Sequence, residues 1–136
     1  MTVVLKVRDV MNRDVTKVNA ETDVATATKI MVEKGMKCAV VVDDNDRPLG
    51  AVTEGTIARK VVRDCKDPSK IRVREIMSSP LKTIPADASL REASEKLLEE
   101  GVNQLYVEEN GEIVGLITEH RILKAINEIV LTLISI

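Results

Sequence analysis

The sequence predicts a mixed α/β (α+β) fold: two β-α-β-β-α repeats packed through their sheets with pseudo-two-fold symmetry. Three observations predict it. First, shifting the chain by 66 positions lays Val7-Arg8-Asp9-Val10-Met11 on Val73-Arg74-Glu75-Ile76-Met77, and Ala20, Ala27, Glu33, Gly35 and Val41 on Ala86, Ala93, Glu99, Gly101 and Val107. Self-similarity over so much of a chain marks a repeated structural unit. Second, after one residue is lost at a hairpin, Gly50-Ala51-Val52-Thr53-Glu54 falls on Gly115-Leu116-Ile117-Thr118-Glu119, and Ile57 on Ile122. Third, one copy of about 65 residues is marginal alone, whereas two copies packed by their strands bury a shared core. The repeats are read as 1–66 and 67–136, the second ending in an apolar helical extension.

The elements follow in order. Val15–Val18 and Leu81–Ile84 read as short strands. Each is followed by an amphipathic helix, with Val24, Ala27 and Met31 on one face and Leu90, Ala93 and Leu97 on its counterpart; the 3/4 spacing is that of an α-helix. Ser89 and Glu92 are placed as a capping box. Gly35 and Gly101 suit the left-handed position that ends a helix. Cys38–Val42 and Gln104–Val107 are β-branched or apolar runs, and Pro48–Val52 and Ile113–Ile117 return from turns at Asp43–Arg47 and Glu109–Glu112. Asn110-Gly111 is a hairpin signal in itself. The last helix of each copy begins at the repeated Thr. Arg63–Ser69 is a polar linker, broken by Asp67-Pro68.

Composition narrows the function. The chain has 136 residues, no Trp, no Phe and one Tyr, so its core is aliphatic and it lacks aromatic platforms for stacking single-stranded nucleic acid. A net charge of −2 gives no footprint for a phosphate backbone. No secretory h-region is visible in Met1–Arg8, and Ile129–Ile136 is far shorter than the roughly 20 residues of a spanning helix. Two cysteines 27 positions apart and a single His give neither a zinc pattern nor a disulfide framework. The expectation is a cytoplasmic protein with no metal, no nucleic acid and no membrane. No nucleophile–base pair, carboxylate dyad or Walker-type loop is present, so the expectation is a binding protein and not an enzyme. Glu54 and Glu119 fall in first helical turns, where the helix dipole explains them.

The repeated turn carries the chemistry. A Thr between a strand and a helix is placed as N-cap, its hydroxyl accepting from a first-turn N–H. The unbonded N–H groups and positive dipole end there suit an anion, and phosphate is the usual one. Capping and ligand binding are compatible roles for one hydroxyl.

Two β-α-β-β-α units in register, each with Gly-x-x-Thr before its last helix and opened by Asp-Val-Met or Glu-Ile-Met, resemble a tandem pair of cystathionine β-synthase (CBS) domains, a Bateman module, over about residues 5–126. The resemblance implies a regulatory, stand-alone sensor of an adenosine-type ligand (AMP, ADP, ATP or S-adenosylmethionine), held in the cleft between repeats and signalling to a separate effector protein. It implies one site from Ala51, Thr53 and Thr56, faced by Ser78, Lys82, Val102 and Asn103. The other takes Leu116, Thr118, His120 and Arg121, faced by Asn12, Thr16, Met36 and Lys37. Apolar members would sandwich adenine, Thr hydroxyls would meet ribose or phosphate, and Lys37 and Arg121 are the cations for phosphate. Their convergence favours the Thr118 site.

The chain departs from that pattern at one position in each copy. Family members that bind adenosine carry an acid three residues after the Thr, to hold the ribose hydroxyls; here Thr56 and Arg121 stand there. Losing a bidentate acceptor costs on the order of 1.5–3 kcal/mol, roughly ten- to a hundredfold in affinity. This keeps a second expectation open, a CBS-type dimerisation scaffold with degenerate nucleotide sites. The last helix runs into the uncharged Ile129–Ile136, aligning Ile122, Ile126, Val130 and Leu133. An apolar strip of that kind calls for a partner, and a two-fold homodimer is the default. The resemblance implies a disc-like dimer using the same terminal helices.

Overall fold

In the computed structural model, residues 5–134 are described; 1–4, and the last two residues of the apolar tail, lie outside them. The elements run α1 (Val7–Val10), β1 (Lys17–Asn19), α2 (Val24–Glu33), β2 (Cys38–Val42), β3 (Pro48–Thr53), α3 (Glu54–Ile57), β4 (Thr83–Pro85), α4 (Leu90–Glu100), β5 (Gln104–Glu109), β6 (Glu112–Thr118) and α5 (Glu119–Ile134). α3 continues as a π-helical turn, Ala58–Val62, and short 3-10 turns cover Pro68–Lys70 and Val73–Glu75.

The strands form two three-stranded sheets, ordered β1-β2-β3 and β4-β5-β6. In each, the first pair is parallel and the second an antiparallel hairpin. The hairpins are interrupted at corresponding places, between Val41 and Val42 and between Val107 and Glu108. The first strands begin later than the hydrophobic pattern suggests, at Lys17 and Thr83, because the parallel partner sets their extent through Lys17↔Val40 and Thr83↔Tyr106.

Local chemistry fixes the element ends. The Asp23 carboxylate caps α2, accepting from the Thr26 N–H and hydroxyl; those bonds, the hydroxyl's first, lower its pKa. Ser89 caps α4 through the Glu92 N–H at 3.0 Å. Gly35 and Gly101 follow the two helices at φ +64° and +63°. In the first hairpin, one Asp43 carboxylate oxygen accepts from the N–H groups of Asn45 and Arg47. In the second, Asn110 and Gly111 both take positive φ, as a two-residue hairpin turn of the mirror-image type needs.

The chain divides into two compact units, and their boundary differs from that of the sequence repeat. One unit is Val15–Lys82; the other joins the residues up to Asp14 to those from Thr83 on. Each repeat's opening segment is thus built into the other repeat's unit. Val7 and Met11 pack with Ile84, Ala93, Leu97, Leu105, Val107, Ile117 and Ile122. Val73 and Ile76 pack with Val18, Val24, Ala27, Met31, Val41, Val52, Ile57 and Val61. Main-chain bonds stitch the segments in: Val7 and Arg8 N–H donate to the Ala88 and Ala86 carbonyls, and Val73 and Arg74 to those of Thr22 and Ala20. Each opening segment also makes an ion pair within its unit, Arg8 with Glu109 at 3.0 Å, part-buried, and Arg74 with Glu21 at 2.8 Å, exposed.

Candidate functional site

Each Thr motif stands where an antiparallel hairpin strand turns into a helix. Thr53 caps α3, its hydroxyl oxygen accepting from the Thr56 N–H at 3.1 Å. Thr118 does the same at the head of α5, accepting from the Arg121 N–H at 3.2 Å. The motif strand is held on its other side by the opening segment within the same unit. Ala51 and Ser78 exchange both main-chain hydrogen bonds, at 2.9 and 2.8 Å, and Leu116 and Asn12 do likewise at 2.8 Å each. The structure therefore brings Ser78 to Ala51 and Asn12 to Leu116. The Asn12 side chain turns back to accept from the Asp14 N–H at 2.9 Å.

The motif glycines make this pairing possible. A methyl group at Gly50 would sit 2.4 Å from the Ser78 carbonyl oxygen. One at Gly115 would sit 2.5 Å from the Met11 sulfur and 3.0 Å from the Asn12 carbonyl oxygen. Glycine in Gly-x-x-Thr thus admits the neighbouring backbone, a close approach that a Cβ would obstruct.

Other candidate residues fall to one unit or the other. The Glu54 N–H donates to the Lys37 carbonyl at 3.0 Å, so Lys37, with Met36 before it, lies at the head of α3. The Glu119 N–H donates to the Asn103 carbonyl at 3.1 Å, which puts Asn103 and Val102 at the head of α5. These bonds place the main chain of each pair at the motif helix of its own repeat. Thr16, buried, and Lys82, exposed, both belong to the Val15–Lys82 unit. His120 is exposed on the first turn of α5, and Leu116 is buried in its sheet.

The two positions that lack the acid are engaged in different ways. Thr56 is only 4% exposed, and its hydroxyl lies 3.1 Å from the Thr53 hydroxyl in a mutual hydrogen bond. Arg121 extends to the opening segment: its Nε donates to the Val10 carbonyl at 2.8 Å and its Nη2 to the Met11 carbonyl at 3.3 Å. Carbonyl oxygens thus take two of its five N–H donors.

Sequence reasoning missed two cations. A methyl group at Gly55 would lie 3.0 Å from Arg59 Nη1 and 3.8 Å from the Thr53 hydroxyl oxygen, so the Arg59 guanidinium lies over Gly55 near the capped turn. The signal was available, because Arg at i+4 from Gly can lie back over the bare helix turn. The second is Lys60, whose Nζ donates to the Ile76 carbonyl at 3.2 Å.

Fold and site together define a tandem α/β repeat protein, with a Thr-capped strand-to-helix turn and an exchanged opening segment in each unit. The profile of the CBS domain matches twice, over residues 7–63 and 73–128, and the chain belongs to the CBS domain family. It is 36% identical over 122 residues to an uncharacterized protein of Methanopyrus kandleri, an alignment covering 88% of this chain and 62% of that one. The chain spans about three fifths of the length of this relative and of a second curated one. Among solved structures, it is similar to an uncharacterized conserved protein from Pyrococcus horikoshii, with a TM-score of 0.84 and 28% identity over 92% of this chain and 94% of that one. It is also similar to a hexameric CBS-CP12 protein from bloom-forming cyanobacteria, with a TM-score of 0.82 and 27% identity over 88% and 70% of the two chains. No helix among the described residues is long and apolar enough to cross a membrane.

Proposed function

We propose that this CBS-domain pair is a regulatory module that binds an adenosine-type nucleotide at its Thr motifs and signals to a separate partner. The observation that carries the reading is the Arg59 guanidinium lying over the bare turn at Gly55, in the first turn of the helix that Thr53 caps. Glu54 already places one anion in this first turn; a phosphate is a further anion that a helix N-terminus favours and that Arg grips well. Lys37 adds a second positive residue at the head of the same helix. Sequence reasoning favoured the Thr118 motif. The bonds of Arg121 to Val10 and Met11, together with the position of Arg59, support the Thr53 motif instead. The test is calorimetry with adenosine, AMP, ADP, ATP and S-adenosylmethionine. Arg59→Gln is expected to weaken phosphorylated ligands by about tenfold while leaving adenosine unchanged. Equal loss for adenosine and AMP would remove Arg59 from phosphate contact.

A second reading is a dimerisation scaffold without nucleotide. It is favoured by the fates of Thr56, buried against Thr53, and Arg121, bonded to carbonyls, neither of which offers the ribose an acidic acceptor. Absence of heat and of thermal shift with every ligand at millimolar concentration would select it. Either way we propose a homodimer through α5. Ile126 and Val130 are 44% and 42% exposed and Leu133 is 78% exposed, while Ile122, a turn before Ile126, is buried.

A further inference from the structure

The strongest unassigned feature is a pair of cation-to-carbonyl bonds that recur at matching places in the two units. Val10 and Ile76 correspond under the 66-residue shift, and each has its carbonyl held by a cation from the motif helix of its unit: Val10 by Arg121 Nε at 2.8 Å, Ile76 by Lys60 Nζ at 3.2 Å. The two cations do not correspond in sequence. Arg121 stands three residues after Thr118, Lys60 seven after Thr53. Positions three and seven after the cap are one turn apart on the same helix face. Where the first repeat has Thr56 and Lys60, the second has Arg121 and Ala125. A short side chain at one position is thus matched by a long cation at the other, in opposite order.

We propose that Arg121 and Lys60 are interchangeable latches, positioning residues that fasten each opening segment against its motif strand. The latched carbonyl lies two residues before the residue paired with the motif strand, Asn12 with Leu116 and Ser78 with Ala51. Arg121 reaches further, adding the Met11 carbonyl next to Asn12. A charged donor on a carbonyl is a stronger bond than a neutral one. The latch holds the segment where the motif glycine, Gly50 or Gly115, leaves room for its backbone. On this assignment the cation at the third position of the second motif acts on the protein's own main chain.

The test is amide hydrogen exchange on the ligand-free full chain. Arg121→Gln is expected to speed exchange at the Asn12 and Leu116 amides by about tenfold, with the Ser78 and Ala51 amides unchanged. Lys60→Gln is expected to do the reverse. Arg121→Lys keeps a charge and is expected to restore most of the protection. In Arg121→Thr with Ala125→Lys, which gives the second repeat the first repeat's arrangement, protection is expected to return relative to Arg121→Thr alone. Unchanged exchange in Arg121→Gln would overturn the latch, and failure of the Ala125→Lys rescue would overturn the interchange. Exchange that rises evenly through the whole unit would also overturn it, because the effect would then be global destabilisation. A ligand arm rests on the nucleotide reading at the Thr53 motif: Lys60→Gln, in the same unit, is expected to lower affinity for adenosine and AMP by the same factor. The exchange arm needs no ligand, so failure of that reading and failure of the latch are distinguishable.

Discussion

Gly50 and Gly115 occupy the same place in their motifs but tolerate a side chain differently. At Gly50, the atom an added methyl group would meet is the Ser78 carbonyl oxygen, a main-chain atom already fixed by the Ser78–Ala51 pair. At Gly115, the nearest atom is the Met11 sulfur, the flexible part of a side chain, with the Asn12 carbonyl oxygen next at 3.0 Å. Backbone cannot move without breaking its pairing, whereas methionine can change rotamer. Gly50→Ala is therefore expected to cost about 2–3 kcal/mol and Gly115→Ala about 1 kcal/mol. Urea denaturation of both variants checks the order; an equal cost, or a larger one at Gly115, would refute it. At this scale much was legible in the chain itself. The Thr caps, the Ser89 cap and the Asn110-Gly111 turn follow from chemistry confined to a few neighbouring residues. The partners of Arg121 and Lys60 were not legible, since Val10 is 111 residues from Arg121 and Ile76 is 16 from Lys60.

Among the helices, α5 stands apart. Ile122 is its one buried residue, and Leu123, Ile126, Ile129, Val130, Leu131, Leu133 and Ile134 are exposed. Apolar residues on that many positions of one helix suit burial over most of its circumference. α4 differs in kind: Ala93 and Leu97 are buried and its outer face is mostly charged. We expect the full chain to be a dimer in solution and a truncation after Asn127 to shift it toward monomer. Light scattering decides between them. A monomeric full chain would refute the dimer, as would a hexamer like that of the CBS-CP12 relative, and a truncation that stays fully dimeric would take the tail out of the interface. The periodicity of α5 was visible in the sequence. Its exposure was not, because the same apolar run fits burial against its own chain equally well.

For the whole molecule, the exchanged segments decide what can fold alone. A fragment of residues 15–82 keeps Val73 and Ile76, 0% and 5% exposed, in the core of its sheet. A fragment cut at the repeat boundary, residues 1–66, loses both and exposes Val7 and Met11, whose partners lie beyond residue 83. Removing two buried aliphatic side chains costs about 2–5 kcal/mol each when truncated, comparable to the whole stability of a small domain. Residues 15–82 are expected to give a cooperative thermal transition, and residues 1–66 to give none. Circular dichroism on the two fragments is the measurement. A cooperative 1–66 fragment at least as stable as 15–82 would show that the opening segments are dispensable.

The sequence by itself determined the strands, the helix that follows the first strand of each repeat, their order, the doubled turn and the family, because each rests on short-range rules. A 3.6-residue stripe makes a helix, β-branched runs make strands, Asn-Gly closes a hairpin and Thr caps a helix. It also showed that Val7–Met11 and Val73–Met77 are equivalent. That equivalence is the reason it left the rest undecided. Two segments of matched size and polarity fit either core equally well by pattern. Only the tertiary structure assigned Val7 and Met11 to the Ile117 core, and Val73 and Ile76 to the Val52 core. It likewise fixed the bonds made at the two positions lacking the ribose acid. Thr56 is too short to reach beyond its own turn and bonds to Thr53, while Arg121 is long enough to grip the main chain of a segment that begins more than a hundred residues earlier.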